Sequence, residues 1–366
     1  MKQQFIDVIA RNRDAIKGIA RGVERECLRM TPDGYLAQSP HPRALGSPLT
    51  NPFITTDYSE AMLELVTPPL PCIDEVLDFL ADIHQFVYLN IKEELLWPAS
   101  MPCIISGEDA IPIARFGSSP EAKFKELYRE GLRQRYGSMM QSIAGVHYNV
   151  SLPDEMWRLW AQWMGLKGEL QEVKSRGYFH IMRNFLRLSW LTTYLFGASP
   201  ALCKNYLAIE DRGRLQDWDE NTAYLPWATS LRMSDIGYRS FAQEGLEVSF
   251  DSLDEYVRDI LEATKTKDPA FSKIGIKDEE GRFIQISDGI LQIENEFYCP
   301  IRPKRISKSQ SRPALALAKE GVEYLEVRSL DIDPFEPTGV GRDQLLFIEG
   351  LLIHCLLQDS PPLDKR

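Results

Sequence analysis

The sequence lacks the features that identify several common classes of protein. Its 366 residues include six cysteines, but these form no C-x-x-C pair and no zinc-binding spacing. We therefore expect reduced thiols in the core or at the surface. Lysine and arginine form no long run, and the net charge is −11, so nothing favours attraction to a nucleic-acid backbone. These absences argue against a disulfide scaffold, a zinc module and a nucleic-acid-binding protein.

No segment predicts a cleaved leader or a membrane span. Residues 1–17 mix charged and apolar residues, which favours an amphipathic helix over a signal sequence. The longest apolar region, residues 179–196, contains Arg183 and Arg187, whereas a span needs about 20 apolar residues. We interpret it as a buried helix. The sequence therefore predicts a cytoplasmic protein without a membrane partner.

The pattern of predicted elements favours an α+β fold with an antiparallel sheet. Strands are predicted at residues 18–30, 62–67, 139–150, 282–287, 291–298 and 324–330. Helices are predicted at residues 1–17, 73–87, 124–132, 154–196, 254–264 and 345–357. Strands and helices do not alternate in a βαβ rhythm, and no flexible linker divides the chain. We therefore expect one domain over residues 1–366.

Paired acidic residues are the most informative feature that is present. Glu24 and Glu26 are two residues apart in a predicted strand, so their side chains share one face. Near the other end of the chain, Tyr324, Glu326 and Arg328 share a face in the same way. Carboxylates that face inward repel one another and lose hydration, so they are tolerated mainly around a cation. Mg²⁺, which prefers oxygen ligands, is the natural candidate.

Other polar residues extend this predicted acidic surface. Asp57, Glu64 and His147 lie on or beside predicted strands, and further polar residues alternate between 292 and 298. For a single carboxylate pair, a solvated sheet face remains the alternative, because antiparallel sheets often expose one face. For His147 alone, the alternative is a structural histidine. The convergence of the whole set favours a metal site.

No common phosphate-binding motif is present. Neither G-x-x-x-x-G-K-[ST] nor G-x-G-x-x-G occurs at a strand-to-helix turn, and H-E-x-x-H is absent as well. A bound nucleotide would thus be held through metal ions and arginines. Arg328 is placed to offset anionic oxygens, with a surface salt bridge as the alternative. Arg232 and Tyr238 are suited to holding a substrate carboxylate and its apolar neighbour, although a loop salt bridge explains them equally well.

Several segments resemble the proteobacterial type of glutamate–cysteine ligase. They are residues 18–29, 54–57, 97–103, 124–132, 145–149, 194–200, 291–305 and 323–335. The resemblance spans about residues 15–357 in order. It implies ATP-dependent ligation of the L-glutamate γ-carboxylate to the amine of L-cysteine, the first step of glutathione synthesis. The fold it implies is a glutamine-synthetase-like antiparallel sheet surrounded by helices.

The resemblance also implies roles for individual residues. The implied ligands of Mg²⁺, with Mn²⁺ as an alternative, are Glu24, Glu26, Asp57, Glu64, His147 and Glu326. Gln141, Asn149 and Arg328 are expected around glutamate and its reacting carboxylate. The implied cysteine pocket contains Tyr128, Arg232, Tyr238 and Tyr298. Arg129 is expected as an additional phosphate contact. The expected cofactor is thus a divalent metal, with ATP as co-substrate.

The end of the sequence departs from the family pattern. Family members continue for a largely helical stretch beyond the last residue, so we expect that region to be lacking. The predicted helix at 345–357 has almost no polar face, and residues 358–366 are too few to cover it. We expect self-association or a partner chain at this helix. Two alternatives stay open: a weak or inactive homologue that needs a partner, and a γ-glutamyl ligase for another amine.

Overall fold

The fold is organised around a seven-stranded antiparallel sheet. The computed structural model describes residues 7, 10–11, 14–207, 211, 213–237, 241–306 and 312–363. The strands are β1 Ala20–Met30, β2 Ile54–Thr56, β3 Met62–Val66, β4 Leu95–Leu96, β5 Val146–Ser151, β6 Ala201–Cys203, β7 Gln216–Asp217, β8 Thr222–Tyr224, β9 Ile301–Lys304 and β10 Tyr324–Leu330. The large sheet has the order β2-β3-β1-β5-β10-β9, with β4 paired to β1. A smaller sheet has the order β6-β8-β7.

Helices surround the large sheet. They are α1 Asp14–Lys17, α2 Ile73–Asn90, α3 Pro120–Tyr136, α4 Asp154–Met164, α5 Leu170–Leu188, α6 Trp190–Phe196, α7 Phe241–Glu244, α8 Leu253–Ala263, α9 Pro269–Ile274, α10 Pro313–Glu320 and α11 Arg342–Leu357. Helix α2 packs on β1 and β3, and α11 packs against both α2 and α5. Among the described residues, no helix is long and apolar enough to cross a membrane. The predicted α+β class with an antiparallel sheet is confirmed.

The alternation of β1 shows why this strand lies at the centre of the sheet. Val23 and Cys27 are fully buried, while Glu24 and Glu26 project from the opposite face. Pairing with β3 on one side and β5 on the other satisfies the backbone along most of the strand. The apolar face belongs to a core that includes the buried side chains of Tyr148 and Val327. The acidic face is left to a cavity.

Two strand predictions in the C-terminal half were wrong. Residues 282–287 and 291–298 form turns, an isolated bridge and a short 3₁₀ helix at Glu294–Glu296 instead of strands. Local side-chain contacts replace a sheet ladder here: Gln292 accepts a hydrogen bond from the backbone of Ile286, and Glu296 pairs with Arg135 at 3.0 Å. The strand predicted at residues 139–150 begins too early, because β5 begins at Val146 and a 3₁₀ turn precedes it.

The predicted helices agree with helices in the structure, but the burial predicted for one of them does not. Asp14–Lys17 of the predicted N-terminal helix is helical, while most of residues 1–13 lies outside the described part of the chain. The region 179–196 divides into the end of α5, which is buried, and α6, which is not. Trp190 and Tyr194 in α6 are 59% and 66% exposed. The prediction of a buried helix was therefore wrong for the second half of this region.

The prediction that the final helix would be left uncovered was wrong. Most apolar side chains of α11 are buried, and these are Leu345, Ile348, Leu351, Leu352, Cys355, Leu356 and Leu357. The helix lies against α2 and α5, and Glu349 forms an ion pair with Arg21 of β1 at 2.5 Å. The residue after α11 also contacts α5. The backbone carbonyl of Gln358 accepts a hydrogen bond from the side-chain amide of Asn184 and lies 2.7 Å from the ring nitrogen Nε2 of His180. The predicted self-association through α11 is not tested by the structure, which leaves only Leu346 of this helix as an exposed large apolar side chain, at 40%.

Candidate active site

The register of four neighbouring strands brings acidic side chains together. Glu26 of β1 lies opposite Glu64 of β3, and Glu24 of β1 lies opposite His147 of β5. On the next strand, Glu326 of β10 lies opposite Asn149 of β5. Because side chains alternate along each strand, this register puts all of these groups on the same face. The inward carboxylates predicted from strand spacing thus meet across four strands.

The imidazole of His147 is the centre of this group. Its Nδ1 atom lies 3.2 Å from a Glu24 oxygen and 3.7 Å from a Glu326 oxygen. Its Nε2 atom lies 3.6 Å from Glu26. Glu24, His147 and Glu326 each offer a ligand atom, and these three atoms lie within 4.8 Å of one another. One imidazole is therefore shared by three carboxylates.

The electrostatic balance differs between the two sides of the site. Burial, followed by the charges of Glu24, Asp57 and Glu26, raises the pKa of Glu64 well above its usual value. Burial acts in the same direction on Glu326, but Lys304, Arg328 and His147 outweigh it and hold the pKa of Glu326 well below its usual value. Glu326 is therefore ionised at neutral pH, whereas Glu64 resists ionisation and added positive charge would favour its ionised form.

These groups open into a cavity of about 660 Å³. Most of the residues implicated by the sequence line it: Glu24, Glu26, Asp57, Glu64, Tyr128, Arg129, Gln141, His147, Tyr298, Glu326 and Arg328. Gln141 reaches the cavity from the 3₁₀ turn before β5 and not from the strand. The cavity has the size of typical small-molecule sites.

The structure puts two implicated residues behind the cavity wall. Asn149 donates a hydrogen bond to Glu24 at 2.7 Å. Arg232 is 1% exposed, and it donates to the backbone carbonyl of Arg328 at 2.9 Å. Both residues therefore contact groups that line the cavity. Their direct contact with a substrate stays a prediction, and Tyr238 lies outside the described residues.

The two implicated arginines are held in different ways. Arg328 donates to Glu326 at 3.1 Å, and its guanidinium lies 3.4 Å from the imidazole of His147. Arg129 donates to the backbone carbonyl of Asp57 and stacks 4.6 Å above the ring of Phe116. Burial lowers the pKa of Arg129, although Asp57 opposes that shift. Two fixed cations therefore face the acidic cavity from two sides.

The cavity also contains charged residues that the sequence reasoning missed. Arg302 and Lys304 project from β9, and Lys125 lies on another part of the wall. Strand β9 was missed because it is only four residues long and contains Pro303. The alternation of Arg302 and Lys304 could have placed both on the face of Glu326 once β9 was paired with β10.

The donor set fits a hard divalent cation. Carboxylate oxygens predominate, and one imidazole nitrogen is available, which suits Mg²⁺ or Mn²⁺. Glu326 is 1% exposed, and its Oε2 atom accepts no hydrogen bond from the described residues. The ammonium of Lys304 lies 3.4 Å from this oxygen without a hydrogen bond, so the oxygen keeps a lone pair that a metal ion could use. The residues present therefore fit the metal that the sequence implied.

The family follows from comparison with known proteins. A model of the glutamate–cysteine ligase family matches residues 6–366. The chain belongs to the glutamate–cysteine ligase family. The resemblance and the ligase function predicted from sequence motifs are thereby confirmed at the level of the family.

Individual glutamate–cysteine ligases agree closely with this chain. The enzyme of Alcanivorax borkumensis is 50% identical, over 96% of this chain and 67% of the relative. The enzyme of Hahella chejuensis is 49% identical, over 96% of this chain and 66% of the relative. The chain thus spans about two thirds of the length of the relatives that it matches.

Solved structures show that the fold is shared. The glutamate–cysteine ligase of Francisella tularensis, solved in complex with AMP, superposes with a TM-score of 0.90 at 42% identity. That match covers 95% of this chain and 68% of the Francisella chain. A bifunctional glutathione synthetase of Pasteurella multocida superposes with a TM-score of 0.72 at 27% identity, over 98% of this chain and 42% of that protein. The sheet and its surrounding helices are thus those of a glutamate–cysteine ligase.

Proposed function

We propose that this chain uses ATP to join the γ-carboxylate of L-glutamate to the amine of L-cysteine through a γ-glutamyl phosphate. The observation that carries the proposal is the meeting of Glu24, His147 and Glu326 within 4.8 Å in a cavity that Arg328 also lines. Ligation through an acyl phosphate develops charge on oxygen atoms at each step. Preorganised cations are therefore its main catalytic requirement.

The acidic residues would hold the metal. The proposed ligands are Glu24, Glu26, Asp57, Glu64, His147 and Glu326, with Mg²⁺ as the metal and Mn²⁺ as an alternative. When bound, the metal would offset the negative charge of the ATP phosphates and of the transferred group. Second contacts orient these ligands: Asn149 donates to Glu24, and the backbone N–H of Gly145 donates to Glu26 at 2.7 Å.

Arginines and tyrosines would act on the substrates. Arg328 would hold the reacting γ-carboxylate after its phosphorylation, because a guanidinium can bind two oxygens at once. Arg129 would contact phosphate from the other wall. Gln141 and Asn149 would bind or orient glutamate. The proposed amine pocket is formed by Tyr128, Tyr298, Tyr238 and Arg232.

The proposed amine pocket is supported in part by local contacts. Tyr128 and Tyr298 line the cavity, and the hydroxyl of Tyr298 lies 3.3 Å from the sulfur of Met233. Arg232 lies 3.2 Å from the same sulfur. Arg232 would therefore also position Met233 and Arg328 beside the proposed amine pocket.

The proposal extends to the chain as a whole. We propose that residues 1–366 form one catalytic unit in the cytoplasm, with ATP and the two amino acids as partners. The matched relatives are about one and a half times as long as this chain. That this chain catalyses the reaction by itself is therefore also part of the proposal. A weak homologue that needs a partner chain, and a ligase for a different amine, are the alternatives.

One assay separates these functions. Purified protein is incubated with Mg²⁺, ATP, L-glutamate and a panel of amines that includes L-cysteine and 2-aminobutyrate, and ADP is measured. ADP release that requires glutamate and is fastest with cysteine supports the proposal. Faster release with another amine identifies the second alternative.

Matched variants link the activity to the site. Glu326→Gln removes a proposed ligand, whereas Glu323→Gln changes a carboxylate that is 40% exposed, lies 3.6 Å from Arg305 and is not among the residues that line the cavity. We expect loss of turnover only in Glu326→Gln. Absence of glutamate-dependent ADP release from the wild-type protein would overturn the proposed activity of the chain alone.

A further inference from the structure

Lys304 has an unusual position beside the proposed metal site. It is the last residue of β9, which pairs with β10 at one edge of the sheet. Its ammonium nitrogen lies 3.4 Å from both carboxylate oxygens of Glu326. Its side chain is 33% exposed and lines the cavity, whereas that of Glu326 is 1% exposed. A partly exposed cation therefore contacts a buried anion.

Lys304 and a divalent cation require the same carboxylate. Metal–oxygen distances of about 2.0–2.6 Å would put an ion on Glu326 within a few ångströms of the ammonium. Two cations at that separation repel strongly in a partly buried site. Lys304 must therefore move away from Glu326 when an ion binds at Glu24, His147 and Glu326.

The other cations near Glu326 are less able to move. Arg302 donates to the backbone carbonyls of Asn295 and Phe297, which hold its guanidinium against the wall. Arg328 contacts Glu326 and also lies beside His147. Lysine, in contrast, has a flexible four-carbon stem and a compact charge. Among these cations, Lys304 combines flexibility with partial exposure to the cavity.

We propose that Lys304 is a resident cation of the metal site. It neutralises Glu326 until a divalent ion binds there, and it then turns toward the anionic phosphates of the nucleotide in the same cavity. The second half of this statement rests on the proposed function, which supplies the nucleotide. The first half concerns only this chain and its metal.

The proposal predicts opposite effects on two ligands. Without Lys304, the divalent cation no longer competes for Glu326, so the metal should bind more tightly when nucleotide is absent. Nucleotide should bind less tightly once the metal is present, because one cation has been lost from the cavity. If Lys304 only maintained the structure, its removal would weaken the binding of both ligands.

The first experiment measures Mn²⁺ affinity in the absence of nucleotide, using the electron paramagnetic resonance signal of free Mn²⁺. Lys304→Met is compared with the wild type and with Lys125→Met. Lys125 also lines the cavity, but its ammonium lies 5.1 Å above the ring of Phe116. The control thus removes the same charge from another part of the wall. We expect about tenfold tighter Mn²⁺ binding in Lys304→Met, and a smaller change in the control.

An Mn²⁺ affinity in Lys304→Met that equals or falls below the affinity of Lys125→Met overturns the proposal. Thermal melting of each variant establishes that it is folded, and Lys304→Gln replaces the methionine variant if that one is not. The Mn²⁺ measurement requires no turnover, so it can succeed even if the proposed ligase activity fails.

The second experiment measures binding of a non-hydrolysable ATP analogue at saturating Mn²⁺. We expect about tenfold weaker nucleotide binding in Lys304→Met than in Lys125→Met. Equal nucleotide affinities in the two variants overturn the movement of Lys304 toward phosphate. Absence of nucleotide binding in the wild type overturns the same step, and counts against the proposed function as well.

Discussion

The position of Arg328 predicts a specific chemical role for its guanidinium group. It contacts Glu326 and lies beside His147, so its guanidinium faces the proposed reacting group from within the acidic site. If it binds two oxygens of the phosphorylated carboxylate, a lysine cannot replace it. We expect Arg328→Lys to lose about a hundredfold in kcat, nearly as much as Arg328→Ala, as measured by ADP release. Near-native turnover in the lysine variant would show that charge alone suffices.

His84 provides a second test at the scale of single residues, this time of stability. It is 4% exposed, its Nδ1 lies 2.7 Å from the carbonyl of Leu80, and its Nε2 contacts the buried guanidinium of Arg25. Burial, followed by the charge of Arg25, lowers the pKa of His84 to about 4. The unfolded chain takes up this proton near pH 6.5, whereas the folded chain takes it up only near pH 4.

His84 should therefore reduce stability as the pH falls. Its contribution to the free energy of unfolding is constant above about pH 6.5 and decreases by about 3 kcal/mol between pH 6.5 and 4. Urea-induced unfolding at several pH values checks this for the wild type and for His84→Gln, whose amide oxygen can still accept from Arg25. We expect a shallower loss of stability in His84→Gln over this range. Parallel pH profiles for the two proteins would contradict the assignment.

The acidic residues of the site could be predicted from the sequence because their spacing follows strand geometry. Glu24 and Glu26 share a face by their separation alone, and Glu326 shares a face with Arg328 in the same way. Lys304 was not predicted, since β9 is only four residues long, contains Pro303 and is placed on the face of Glu326 only by its pairing with β10. The position of Arg232 behind the wall depends on tertiary packing, which residue spacing does not determine.

At the scale of elements, two helical glycines differ in the space that is available for a side chain. A β-carbon on Gly177 of α5 would lie 2.2 Å from the indole of Trp157, which is fully buried in α4. A β-carbon on Gly350 of α11 would meet no atom within 4 Å. The same substitution should thus destabilise one helix and stabilise the other.

We expect Gly177→Ala to lower the free energy of unfolding by about 1–3 kcal/mol, because the rigid indole must move. Gly350→Ala should raise it by about 1 kcal/mol, because alanine favours the helix. Urea-induced unfolding of both variants measures the two changes under identical conditions. A Gly177→Ala protein as stable as the wild type would show that α4 and α5 pack more loosely than the structure indicates.

Helices and strands could be predicted where the periodic pattern of side chains continues over many consecutive residues. Strands β1 and β10 and helices α2 and α3 agree with their predicted positions, because the period of a strand or of a helix repeats in the sequence along each of them. The segment 291–298 alternates in sequence just as a strand does, yet its buried carboxylates make side-chain contacts instead: Glu296 with Arg135 and Tyr136 of α3, and Glu294 with Arg312. Alternation alone cannot distinguish those two arrangements.

At the scale of the whole molecule, α11 shows the limit of reasoning from composition. Its apolar character on nearly all sides correctly indicated a helix covered on nearly all sides. The sequence did not show that α2 and α5 provide that cover. The missing information was tertiary, since α5 and α11 are separated by more than 150 residues.

The fold as a whole should be more stable with its metal than without it. Glu24, Glu26, Glu64 and Glu326 are brought together only by the folded sheet, so an ion that binds them binds the folded state. At a free Mg²⁺ concentration of about 100 times Kd, the stabilisation should be about 2.7 kcal/mol. Thermal unfolding with increasing Mg²⁺ measures this as a rise in Tm. Glu326→Gln should abolish most of the rise, whereas Glu323→Gln should retain it; an unchanged Tm in the wild type would contradict the metal site itself.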